Sequence, residues 1–183
     1  MGSAAVRKTA VVLDILVLIT FVCNLTALPL APALVHWRYN PTFFAAKQSL
    51  GASPLSFWLE GLSKVWSEPR TAALALFLLF SGVCTAVILW QARRVLKTIL
   101  RGRPFSVENA ASLNRAAVCA FLIAAAALVR VVVSVRLYRS VRPLLNYNAL
   151  FIAVFSIAGL LCLVMAALFQ QAAELKAEND LII

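Results

Sequence analysis

Four apolar stretches, at residues 10–35, 71–90, 116–136 and 149–169, constrain this chain more than any other feature. Each is close to the roughly 20 residues that a helix needs to cross the hydrocarbon of a bilayer. Backbone amides and carbonyls find no water there, so a spanning segment must satisfy them internally, as a helix does. Composition agrees, since 63% of the 183 residues are hydrophobic and 13% charged, where a soluble domain carries roughly half and a quarter. The sequence predicts an all-α integral membrane protein, a four-helix bundle forming a single membrane domain over 1–183. An outer loop at 36–70, a cytoplasmic connector at 91–115 and a cytoplasmic tail at 170–183 complete it.

Arg7 and Lys8 before the first apolar run, and the small residues of "TALPLAPA" within it, imitate a signal peptide. The run exceeds the 7 to 15 apolar residues of a typical signal core, so it is expected to stay as a span. The formal net charge of +10 would suggest nucleic acid in a soluble protein. Here the bases collect at the ends of apolar helices, where membrane lipid is the counter-charge, and direct nucleic-acid binding is not expected. Cys23, Cys84, Cys119 and Cys162 fall one per span without a CxxC pair. They read as small buried hydrophobes, and neither a metal centre nor a cofactor is expected.

Orientation follows from Lys and Arg in the connections. With the N-terminus inside, nine bases lie inside and eight outside. Six of the inside bases (Arg93, Arg94, Lys97, Arg101, Arg103 and Arg115) crowd one connector, which favours a multi-pass membrane protein with both termini cytoplasmic.

The outer loop contains "SPLSFWLEGLSKVWSEP". Ser53 and Pro54 read as N-cap and first helical residue, with Leu55, Trp58, Leu59, Leu62, Val65 and Trp66 at helical spacing and Glu60 and Lys64 as an i,i+4 pair. An amphipathic helix in the outer headgroup layer is expected, with a lid over a cavity as the alternative. Pro29 and Pro32 are expected to kink the outer end of the first span. In the connector, the second span continues over Gln91 to Leu100 until Gly102 and Pro104, and Ser106 caps the next helix with Glu108 in its first turn. The frame shared by "LWQARRVLK" and "LFQQAAELK" hints at a duplicated helical hairpin.

Ionisable and polar groups inside a span are functional candidates, because placing them there costs a few kcal/mol or more. Asp14, Asn24 and Arg130 are the candidates here. Asp14 is expected near the inner surface, paired with Arg115, while Arg130 snorkels towards Arg136 and Arg139. His36 beside Trp37 reads as interfacial. No HExxH, GxSxG or P-loop occurs, so catalysis is not expected. Small residues at Ser81 and Gly82, Ala124 to Ala127, and Ser156 and Gly159 permit close helix packing, in a folded bundle or in a homo-oligomer.

Two further stretches, "GRPFSVENAASLNR" and the closing "LKAENDLII", carry a resemblance. Together with four spans they resemble the YoaS-like family of small bacterial membrane proteins, in which a PF...N...L element precedes the third helix and the chain ends in E-N-D-L-T-V/I. Pro104, Phe105, Asn109 and Leu113 match the first element; Glu178, Asn179, Asp180, Leu181 and Ile183 match the second, with Ile182 in place of threonine. The resemblance implies both termini inside and a neighbouring helix-turn-helix regulator as a cytoplasmic partner.

Three acids, Glu174, Glu178 and Asp180, sit where a helix ends, the end that favours bases. The sequence predicts that they fold back onto Arg93, Arg94, Lys97 and Arg101, or are presented to a partner. The functional expectation is a non-catalytic membrane regulator or sensor, with a small transporter or channel around Asp14 and Asn24 as the alternative.

Overall fold

The computed structural model describes residues 3–39, 53–102, 105–138 and 147–180, which form five helices and no strand. They are α1 (Ser3–Tyr39), α2 (Pro54–Lys64), α3 (Pro69–Leu100), α4 (Val107–Tyr138) and α5 (Tyr147–Asp180). All but α2 are long and apolar enough to cross a membrane. Each outlasts the hydrocarbon: the 34 residues of α5 extend about 51 Å at 1.5 Å per residue, against about 30 Å of apolar thickness.

Local chemistry sets the boundaries. Gly102 takes a positive φ of 76° just after α3, the left-handed conformation that closes a helix and that glycine adopts without strain. The Asn109 amide then donates to the Ser106 side-chain oxygen at 3.3 Å, so Ser106 caps α4 as its sequence context anticipates. Ser53 does the same for α2, accepting from the Ser56 amide at 3.3 Å, and the expected Glu60–Lys64 pair closes at 2.8 Å. The helix α1 runs through Pro29 and Pro32. Neither ring nitrogen can donate, which removes one internal hydrogen bond at each position.

The chain divides into two compact units, residues 23–83 and residues 1–22 with 84–183. In the first, α2 packs on the end of α1. A Cβ at Gly61 would stand 3.2 Å from the Cα and Cβ of Ala33, so the missing side chain eases this close approach. Trp58 donates its indole Nε1–H to the Pro29 carbonyl at 3.0 Å. Val35, Val65 and Ala75 form a small core with Leu74 against it. Thr71 is 1% exposed yet satisfied, donating its hydroxyl to the Val65 carbonyl at 2.7 Å. Leu55 and Leu59 remain exposed, so α2 keeps an apolar outer face suited to the headgroup boundary.

In the second unit, α4 packs along α5. Ala116, Ala120, Ile123, Ala127 and Val131 are buried on one face of α4. Gly159 on α5 faces the Phe121 ring, whose nearest atom would lie 3.0 Å from an added Cβ. The exposed residues of the four long helices include many Leu, Val and Ile side chains. In water such a surface would aggregate; in lipid it is solvated.

Candidate functional site

Some of the polar groups singled out in the sequence gather where α3 ends and α4 begins. Asp14 meets Arg93: Nε lies 3.4 Å from Oδ1, with side chains 25% and 20% exposed for Arg93 and Asp14. Arg115 is not the partner. It is exposed, whereas Asn109, Ser112 and Ala116 of α4 are buried. Arg94 reaches Glu108 at 3.8 Å, both side chains well exposed. Glu108 thus serves two purposes, complementing the positive end of α4 and answering a base of α3. Lys97 and Arg101 are exposed.

The first motif element is partly structural. Asn109 is 1% exposed, in the first turn of α4. Phe105 packs edge-on against Phe169 of α5, with ring centroids 5.7 Å apart, and so joins the α4 entrance to the outgoing end of α5. Pro104 and Leu181 lie outside the described residues.

The tail is helical to Asp180. Glu174, Glu178 and Asn179 are exposed, and Glu174 accepts from Gln170 Nε2 at 3.1 Å along its own helix. Among the described residues, Arg93 and Arg94 of α3 pair with Asp14 and Glu108 rather than with Glu174 or Glu178. Of the remaining intramembrane candidates, Asn24 is half-buried on α1 with its Oδ1 buried and unpaired, and Arg130 is half-buried on α4.

Trp90 was not singled out by the sequence, yet it lines a cleft of about 260 Å3 with Arg93, Arg94 and Lys97. Its ring also lies 5.9 Å from that of Phe21, centroid to centroid. The available signal was the spacing of Trp90, Arg93, Arg94 and Lys97, which is that of one helix face.

Four long apolar helices carrying ion pairs and bases near their ends define a multi-pass helical membrane protein. Residues 9–183 match the family described as "protein of unknown function (DUF2975)", and the chain belongs to that family. No curated protein and no solved structure matches it.

Proposed function

We propose that this protein is a non-catalytic membrane regulator whose tail holds a soluble cytoplasmic protein. The observation that carries this reading is the exposed stretch Glu174 to Asn179, which continues α5 as helix while two of the expected counter-charges on α3, Arg93 and Arg94, are engaged by Asp14 and Glu108. An acidic helical end with no base in its last turn is electrostatically unfavourable alone. A basic partner surface reverses the sign. Leu175, 62% exposed, adds an apolar contact beside the acids.

The partner class follows from the YoaS-like resemblance, which implies a helix-turn-helix regulator held at the membrane, with both termini cytoplasmic. A DNA-binding protein is basic where it meets phosphate, so an acidic helix competing for that surface would sequester it.

The test is co-purification of the full-length protein from its native membranes beside a Glu174→Gln, Glu178→Gln, Asp180→Asn variant. Recovery of a helix-turn-helix protein with the first and its loss from the second supports tail docking. Equal recovery, or no soluble protein with a stably inserted chain, removes it. Flux through proteoliposomes abolished by Asp14→Asn would install transport in its place.

A further inference from the structure

The cleft of about 260 Å3 beside the end of α3 is lined by Trp90, Arg93, Arg94 and Lys97. Their spacing of i, i+3, i+4 and i+7 sets all four on one face of the helix. Gln91 and Val95, by contrast, are buried on another face of α3, and the cleft lies on the face that Asp14 and Phe21 of α1 approach.

The order along the axis carries chemical information. Trp90 comes first, at the end of the apolar run, and the three cations follow within about 10 Å of helix. A leaflet presents its layers in the same order, an interfacial zone that favours indole and then the phosphates.

The charges nearby do not cancel. Arg93 faces Asp14 at 3.4 Å and Arg94 faces Glu108 at 3.8 Å; Lys97 is exposed with no ion pair among the described residues. Three cations against two carboxylates leave an excess positive charge. A guanidinium carries five donors, so one long carboxylate contact leaves capacity for a second anion. Its planar fork matches phosphate oxygens.

We propose that this cleft is a phosphate-binding site, its phosphate supplied by the headgroup of an anionic phospholipid. Arg94 and Lys97 hold the phosphate oxygens, Arg93 braces them while anchored to Asp14, and Trp90 packs against the glycerol and upper acyl segment. The site is independent of tail docking.

The test uses the full-length protein in neutral detergent, stripped of endogenous lipid and then given dioleoylphosphatidylglycerol or dioleoylphosphatidylcholine, with retained lipid counted by native mass spectrometry. The expected result is preferential retention of phosphatidylglycerol, weakened about tenfold by Arg94→Gln with Lys97→Gln, since each base near a phosphate surface contributes a several-fold factor. Removing the same charge by Lys64→Gln with Arg136→Gln should leave retention intact. Glu108→Gln releases Arg94 from its carboxylate and should strengthen retention, a gain that misfolding does not produce.

Inorganic phosphate at millimolar concentration separates the sources. Failure to displace the lipid assigns the site to the headgroup; displacement assigns it to the phosphate group alone, from free phosphate as well as lipid. Equal retention of the two lipids would overturn the proposal. So would an equal loss from the Lys64 and Arg136 variant.

Discussion

Arg93 Nε stands 3.4 Å from Asp14 Oδ1, joining the first long helix to the extension of α3. The two side chains are 25% and 20% exposed, between the regime of surface pairs, worth about 0 to 1 kcal/mol, and that of buried pairs. In the buried case, losing one partner costs about 3 to 5 kcal/mol. Asp14→Asn should therefore lower stability by about 1 to 3 kcal/mol, read by thermal unfolding in detergent. Adding Arg93→Gln should cost less than it does in the parent protein, with a coupling of about 1 kcal/mol. Strict additivity would show that the two groups are neighbours without an energetic link.

Close packing of α4 on α5 rests on Gly159. An added Cβ would come within 3.0 to 3.2 Å of three Phe121 ring atoms, so Gly159→Ala needs a small ring shift and Gly159→Val a larger one. The valine variant should lose about 1 to 3 kcal/mol by overpacking, seen as a lower midpoint of thermal unfolding. Combination with Phe121→Leu should restore part of it. A valine variant as stable as the parent would mean that the helices separate there without cost.

Cys84 on α3 and Cys119 on α4 lie near enough for their thiols to interact, and both are free thiols. A short, membrane-permeable bifunctional thiol reagent should join these two within one chain. Peptide mapping should recover that link ahead of any to Cys23 or Cys162. A dominant Cys84 to Cys162 link would instead set α3 against the other helix of the pair.

Ser106 accepts the Asn109 amide at 3.3 Å, a long capping bond. Ser106→Ala should destabilise the start of α4 by about 0.5 to 1 kcal/mol. Hydrogen exchange at residues 107–110 should rise while exchange in the middle of α4 stays unchanged. Uniform acceleration along the helix would mean that the cap governs more than the first turn.

Much of this architecture is legible in one dimension because the bilayer constrains sequence so strongly. The apolar runs at 10–35, 71–90, 116–136 and 149–169 each fall within one of the long helices. Gly102 and Ser106 mark the turn between α3 and α4 as their local chemistry dictates, and Ser53 with Pro54 marks the start of α2. These signals act within a few residues of chain. The charge partners do not. Depth alone pairs Asp14 with Arg115, and depth leaves the rotation of each helix about its axis open.

What the sequence by itself determined was the number of apolar helices, the caps of α2 and α4, and the acidic character of the tail. All follow from hydrophobic transfer and local hydrogen bonding, which do not need a packing partner to be known. Only the tertiary structure decided that Asp14 faces Arg93, that Glu108 meets Arg94, that Phe105 seals against Phe169, and that Trp90 shares a cleft with three bases. The physical reason is helical phase. A helix offers several faces at the same depth, and which face turns inward is set by close contacts such as Gly159 on Phe121, made between residues that lie far apart along the chain.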